Sequence, residues 1–248
     1  MIGAIVGDIV SSRYNVANER PSGEFKLFDQ WCHPTEVTNV TLAVGEALIE
    51  YREKGGSLSD WVAKKFAEWG LKNRETSQVS FCGWAAKSYC EALDLARGVD
   101  KGSEEIAALV FLARHGIGKE KLREYMMSRG AMTPAISAFF ESDSFVEAIR
   151  KAVVLDCDRG THAAITGAIA EAYYGVFEDV REVALEYLGE RQRNALLRCE
   201  KNLFCGHITG GGWDSLDADG SLIASGDPEF LQEMGLIPTL QELVGTYG

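Results

Sequence analysis

Residues 162–175, HAAITGAIAEAYYG, are small or apolar at nearly every position. A helix that is apolar all round is normally buried on all sides, and its Ala and Gly residues let neighbouring helices pack close to its backbone. The stretch therefore predicts a helix from His162 to Tyr174 at the centre of a helical protein. The residues just before it, 155–162, LDCDRGTH, put two acids, a thiol, an arginine and an imidazole at the start of this helix. Buried polar groups are costly unless they are paired, hydrated or bound to an ion, so this start is a candidate functional site.

The rest of the chain also has mainly helical periodicity. Apolar residues return every three or four positions in 40–54, 58–73, 82–97 and 103–116, and similar patterns continue to about residue 204, whereas alternating strand patterns are nearly absent. We therefore predict an all-α fold with one helical domain, residues 1–205. Residues 206–248 begin with a Gly- and Asp-rich stretch that predicts a loop or hairpin, followed by a short helix near 228–235 packed on the same domain.

The composition restricts the possible partners and compartment. With 37 acidic and 25 basic residues the net charge is −12, and no Lys/Arg-rich run is present to follow a phosphate backbone. Direct nucleic-acid binding is therefore not expected, and an acidic surface could instead bind a basic protein.

The opening MIGAIVGDIV lacks the basic segment of a signal peptide, and no apolar run approaches the roughly 20 residues of a membrane span. We expect a soluble, cytoplasmic protein with its six cysteines reduced and no membrane contact.

A second polar cluster precedes another apolar helix. Thr35, Glu36 and Thr38 lie just before it or in its first turn. Hydroxyl and carboxylate oxygens at two helix starts could bind a hard cation such as Mg²⁺. Such residues are also ordinary helix caps, so the spacing alone leaves both interpretations open.

Several constellations remain as alternatives. Cys157 and His162 could form a thiolate and imidazole pair, because the start of a helix lowers the pKa of a thiol. A buried cysteine is more often a small apolar residue. Less suitable patterns are the adjacent Cys32 and His33, the zinc-type set Cys199, Cys205 and His207, which lacks a fourth ligand, and a calcium-like turn around Asp217 and Asp219 with Gly226 where a glutamate is needed.

Residues 3–14, GAIVGDIVSSRY, residues 25–51, FKLFDQWCHPTEVTNVTLAVGEALIEY, and residues 148–175, AIRKAVVLDCDRGTHAAITGAIAEAYYG, resemble the ADP-ribosylglycohydrolase family. This family includes the enzymes that remove ADP-ribose from dinitrogenase reductase. The resemblance implies an all-helical fold with a dinuclear Mg²⁺ centre, sometimes Mn²⁺, that positions the ribose of ADP-ribose and an attacking water.

The family's first metal motif is altered in this chain. Its Thr-Asp-Asp-Thr run falls on Thr35, Glu36, Val37 and Thr38. The first acid is thus the longer glutamate, and the second acid is absent. The resemblance implies Thr35 and Glu36 as metal ligands and Glu36 as a catalytic carboxylate.

The second metal motif is altered as well. The family's Gly-Gly-Asp-x-Asp-Thr run falls on residues 156–161, where Asp158 and Thr161 are kept and Gly160 replaces the second aspartate. Asp156 stands where the family has a small residue. The resemblance implies Asp158 and Thr161 as metal ligands and Asp158 as the second catalytic carboxylate. The family's Gly-rich substrate loop and its His-containing segment are not recognisable in residues 74–84 and 97–108.

Two expectations about function follow. Two adjacent divalent cations need several anionic oxygens to offset their repulsion, and only Glu36 and Asp158 remain of the expected carboxylates. The favoured expectation is a catalytically impaired protein that binds a protein partner or an ADP-ribose-like ligand as a regulator or inhibitor, with Arg159 supplying charge in place of an ion. The alternative is an active hydrolase that uses one Mg²⁺ to release ADP-ribose from a modified protein or a related glycoside.

Overall fold

A computed structural model describes residues 1–16, 21, 25–71, 79–155 and 158–203. Within these ranges all the regular secondary structure is helical, which confirms the predicted all-α class for this part of the chain. The helices are α1 (Ile2–Val16), α2 (Glu36–Lys54), α3 (Leu58–Trp69), α4 (Ser80–Ala85), α5 (Tyr89–Val99), α6 (Glu104–Arg114), α7 (Lys119–Ser128), α8 (Pro134–Phe140), α9 (Phe145–Val153), α10 (Arg159–Tyr174), α11 (Glu178–Tyr187) and α12 (Glu190–Leu203).

Helix α10 is central, as its composition predicts. It packs against α1 and also contacts α6, α8 and α9. Gly3 lies opposite Gly167 and Gly7 lies opposite Ala163, so α1 and α10 run antiparallel. A Cβ atom on either α1 glycine would collide with a carbonyl oxygen of α10. The absence of a side chain at these positions therefore sets how closely the two helices approach.

Helix α1 is not among the helices that periodicity predicts. Residues 1–12 are all buried, so the helix has no polar face from which a period could be recognised. Its interior position comes from contacts with α2, α9, α10 and α11. The largest fully buried side chains elsewhere include Phe81, Phe111, Phe139 and Phe145. Each such side chain stabilises the fold by roughly 1.5–3 kcal/mol through removal of apolar surface from water.

The single helix predicted over 82–97 is wrong, because the chain forms α4 and α5 with a break between them. Ala86 is extended, and the Ser88 hydroxyl caps α5 by accepting a hydrogen bond from Glu91 N at 3.1 Å. Arg52 of α2 and Arg114 of α6 donate hydrogen bonds to the carbonyl oxygens of residues 84–86. These guanidinium groups satisfy carbonyls that a continuing helix would otherwise bind. A second break, at Leu188 and Gly189, separates α11 from α12.

The predicted C-terminal segment lies outside the described residues, which end at residue 203. The hairpin, the helix near 228–235 and the domain boundary at 205 therefore remain predictions. Among the described helices, none is both long enough and apolar enough to cross a lipid bilayer.

Candidate functional site

The starts of α2 and α10 carry the predicted site residues, and α1 contacts both helices. The α2 start is held by Asp8, a fully buried carboxylate in α1. Asp8 Oδ2 accepts hydrogen bonds from Thr35 N at 2.8 Å, Thr38 N at 3.1 Å and Thr38 Oγ1 at 2.5 Å, and Asp8 Oδ1 accepts one from Thr35 Oγ1 at 2.6 Å. A carboxylate is well suited to this position, because the first N–H groups of a helix lack partners inside the helix.

The buried position of Asp8 has an electrostatic cost. Burial raises the pKa of the Asp8 carboxyl above its usual value, and the hydrogen bonds from Thr35 and Thr38 lower this pKa by a smaller amount. Desolvation of the charged form thus outweighs four favourable contacts. Asp8 was not predicted as a site residue, because its partners lie about 30 positions further along the chain.

Thr35 and Thr38 have their hydroxyl protons directed at Asp8. Thr35 is also the N-cap of α2, and its Oγ1 accepts a hydrogen bond from Val37 N at 3.1 Å. Thr35 therefore has the ordinary capping role that the sequence left open. One lone pair of Thr35 Oγ1 remains outside these contacts, so the predicted role as a metal ligand is untested.

Glu36 and Val37 occupy the two acid positions of the family motif. The Glu36 side chain is exposed in the first turn of α2. Val37 is partly buried and packs against Ala4 of α1 and Ala164 and Ala168 of α10. The position where a second carboxylate would be expected is therefore part of an apolar contact among three helices.

The start of α10 is formed by Asp158 and Gly160. Asp158 is the N-cap, with left-handed backbone angles of φ 40° and ψ 55°, and it is the only non-glycine residue with a positive φ in the described chain. Its Oδ1 lies 3.5 Å from Thr161 N, a long capping contact. Aspartate tolerates this conformation better than most residues. Gly160 is buried, and as a glycine it offers no side-chain oxygen at this position of the motif.

Arg159 connects the start of α10 to the end of α1. Its Nε donates to Leu155 O at 3.1 Å, and its Nη1 donates to Tyr14 O at 2.9 Å. A cation beside the last carbonyls of a helix interacts favourably with the helix dipole. Arg159 therefore places positive charge at the start of α10 and directs it at backbone carbonyls, while its expected role in place of an ion stays a prediction.

The cysteine alternatives fall partly outside the described residues. Cys157 and Asp156 lie outside the described residues; His162 is described, and its Nδ1 is buried without a hydrogen-bond partner there. Cys32 is buried whereas its neighbour His33 is exposed and contacts Trp31 O through Nδ1 at 3.1 Å. Burial raises the pKa of the Cys32 thiol, which disfavours the reactive thiolate.

The zinc and calcium alternatives fall mainly beyond residue 203. Cys199 is buried, and its Sγ faces Gly45 of α2. Burial raises the pKa of this thiol to about 12, which disfavours the free thiolate. Its proposed co-ligands Cys205 and His207, and the turn at Asp217 and Asp219, lie outside the described residues.

The described donors do not fit a dinuclear magnesium centre. Val37 and Gly160 fill two of the four expected carboxylate positions without an oxygen, and Asp158 caps its own helix. Within the described ranges, no group of three His, Cys, Asp or Glu residues is arranged to hold a metal.

Neither the models of protein families nor the curated proteins contain a match to this chain. The resemblance to the ADP-ribosylglycohydrolase family accordingly depends on the three stretches quoted above and on the residues that they contain.

Proposed function

We propose that this protein has an ADP-ribosylglycohydrolase-like orthogonal helical bundle, is catalytically impaired and acts by binding, as a regulator or inhibitor. Its ligand would be a protein partner or an ADP-ribose-like molecule. The observation that carries the proposal is the packing of Val37 against Ala4, Ala164 and Ala168. A carboxylate at this position would bring charge into an apolar contact, which is costly unless an ion or a donor compensates it.

Internal groups at the two helix starts also support this proposal. Asp8 supplies the anion that satisfies the first turn of α2. Arg159 supplies a cation that binds carbonyls at the end of α1 and before α10. Both helix starts are thus held by side chains of the chain itself.

The experiment combines calorimetric titration with an activity assay. Mg²⁺ and ADP-ribose are titrated separately and together, and release of ADP-ribose is then measured from a modified peptide. We expect no Mg²⁺-dependent release. Release that is lost in Asp158→Ala and kept in Asp60→Ala, a change at an exposed residue of α3, would overturn the proposal.

The alternative is an active hydrolase with a single Mg²⁺, or with Mn²⁺ in its place. It is favoured by the exposed Glu36 carboxylate, which has no hydrogen-bond partner among the described residues, and by the retention of Asp158 and Thr161 at the α10 start. When bound, the ion would supply a Lewis acid for a water nucleophile.

The double variant Val37→Asp/Gly160→Asp separates the two candidates. If activity is absent because carboxylates are missing, Mg²⁺ binding should appear only in the double variant, whereas an active hydrolase should already bind Mg²⁺ in its native form.

A further inference from the structure

The turn before α2 presents an exposed tryptophan, Trp31. Its side chain is 68% exposed, which is unusual for the largest apolar side chain. Trp31 N donates a hydrogen bond to Asp29 Oδ1 at 2.9 Å, and Cys32 N donates to Asp29 O at 3.1 Å. These bonds form a tight turn that fixes the backbone on both sides of the indole.

Neighbouring helices hold this turn in place. Arg13 of α1 forms an ion pair with the Asp29 carboxylate, and Ser12 Oγ accepts a hydrogen bond from His33 N at 2.9 Å. From α11, Tyr187 donates its hydroxyl to Asp29 O at 2.8 Å. The turn is therefore anchored by two helices. Because its backbone is already ordered, little conformational entropy of the turn would be lost when a partner contacts Trp31.

The other tryptophans in the described residues differ from Trp31 in one respect. Each has a cationic side chain within 6 Å of its ring centroid: Lys54 and Lys64 at Trp61, Arg191 at Trp69 and Arg114 at Trp84. No cation of the described chain lies over the ring of Trp31. Because the face of an indole attracts cations, Trp31 is the described tryptophan that can still offer this interaction to another molecule.

The charges around the turn also favour a cation. Arg13 is committed to Asp29, so this pair contributes little net charge. Lys26, five positions before Trp31, and Glu36, five positions after it, are both exposed and offset each other, and Glu186, next to the anchoring Tyr187, adds an exposed acidic group. The whole chain carries a net charge of −12. The negative charge of the chain would thus attract a basic segment by long-range electrostatics, and the segment could then contact the indole of Trp31.

We infer that the Asp29–His33 turn is a docking site for an arginine-bearing basic segment of a protein partner, with the guanidinium stacked on Trp31. Arginine fits better than lysine, because its planar group stacks on aromatic rings and is less strongly hydrated. The inference rests on the proposed binding function and names the chemistry of its partner. The acidic charge of the chain disfavours a nucleic acid as the occupant.

The test uses a short synthetic peptide of alternating arginine and glycine, with a matched peptide in which neutral citrulline replaces each arginine. Binding is followed through the indole N–H signals of the isotope-labelled full chain by NMR, and the Trp31 signal is assigned by its loss in Trp31→Phe. We expect the arginine peptide to shift the Trp31 signal selectively and to bind more weakly at higher salt. Trp31→Ala has no indole signal at this position, so its affinity and that of the native chain are compared by calorimetric titration, and the change should lower the affinity about five- to tenfold.

Trp61→Ala is the matched control, because Trp61 already has Lys54 and Lys64 near its ring. It should leave the affinity for the arginine peptide unchanged, and thermal unfolding of Trp31→Ala verifies that this variant is folded. Absence of binding, equal binding of the citrulline peptide, or unchanged affinity in Trp31→Ala would each overturn the inference. None of these results affects the assay of ADP-ribose release, so the two proposals can fail separately.

Discussion

Thr38 of α2 donates its hydroxyl to Asp8 Oδ2 of α1 at 2.5 Å, and both residues are fully buried. This contact joins two helices whose polar groups would otherwise face an apolar interior. With the three further hydrogen bonds from Thr35 and Thr38, it makes Asp8 the residue that positions the start of α2. Two consequences of this arrangement can be measured.

Asp8→Ala should destabilise the protein far more than Asp8→Asn. Alanine leaves four donors without an acceptor, of which the two from Thr38 are buried and the two from Thr35 are partly buried, and we expect a loss of about 3–5 kcal/mol in the free energy of unfolding. The asparagine oxygen can replace Oδ2, and its amide can donate to Thr35 Oγ1, so a loss below about 1.5 kcal/mol is expected. Chemical denaturation measures both values, with Asp60→Asn on the surface of α3 as the control. Equal losses for the two variants would mean that the charge of Asp8, rather than its hydrogen bonds, dominates.

The stability contribution of Asp8 should decrease as the pH rises. Burial raises the pKa of the Asp8 carboxyl above 3.8, its ordinary value, so the folded state holds this proton to higher pH than the unfolded state does. The folded state then binds more protons in this window, and the free energy of unfolding falls as the pH rises from 3.8 through the folded pKa. Asp8→Asn lacks this titration. The stability of the native protein relative to Asp8→Asn should therefore decline over that window, and an increase would show that the threonine hydrogen bonds outweigh burial.

Gly7→Ala should strongly destabilise the contact between α1 and α10. The added Cβ would meet the Ala163 carbonyl, and a backbone atom cannot rotate away as a side chain can. We expect a loss of at least about 3 kcal/mol, the upper end of the cost of overpacking. Gly118→Ala is the control, because nothing lies within 4 Å of its Cβ position. That change should alter stability by less than about 1 kcal/mol, and similar melting temperatures for the two variants would contradict the close helix approach.

Arg159→Lys should loosen the start of α10 although it keeps the charge. The lysine ammonium is a single compact donor group and does not reproduce the separate Nε and Nη1 contacts to Leu155 O and Tyr14 O. A loss of about 1–2 kcal/mol is expected, together with faster amide hydrogen exchange in the first turn of α10. Arg97→Lys is the control, since Arg97 is 52% exposed and forms surface ion pairs. Unchanged exchange in Arg159→Lys would mean that these two contacts do not hold the helix start.

Local patterns predicted the features that depend on neighbouring residues. The apolar helix α10 is central, and Thr35 caps α2, which is one of the two roles that its position left open. Helix α10 begins at Arg159 with Asp158 as its cap, three residues before the predicted start at His162. The resemblance identified Val37 and Gly160 as positions without a carboxylate, but the sequence could not indicate that Val37 would pack on three alanines from α1 and α10. That contact depends on how the helices approach each other, which no local spacing encodes.

The features that were missed depend on distant partners. Asp8 binds residues about 30 positions away, and its own helix shows no period because it is buried on every side. The break between α4 and α5 is stabilised by Arg52 and Arg114, which come from other helices. In both cases a side chain from another helix forms the hydrogen bonds that the backbone groups at a helix end require. The local sequence shows where these backbone groups are but not which distant side chain binds them.

The glycine contact between α1 and α10 also fixes the rotation of α1 about its own axis. Successive residues of a helix are about 100° apart, so inserting one residue between Gly3 and Gly7 would turn one of the two glycines away from α10 and bring a larger side chain to the contact. Asp8 directly follows Gly7, and its direction towards Thr35 and Thr38 is set by the same rotation. The spacing from Gly3 to Asp8 is therefore a geometric constraint on the whole site, because an insertion or a deletion within it would turn Asp8 away from Thr35 and Thr38.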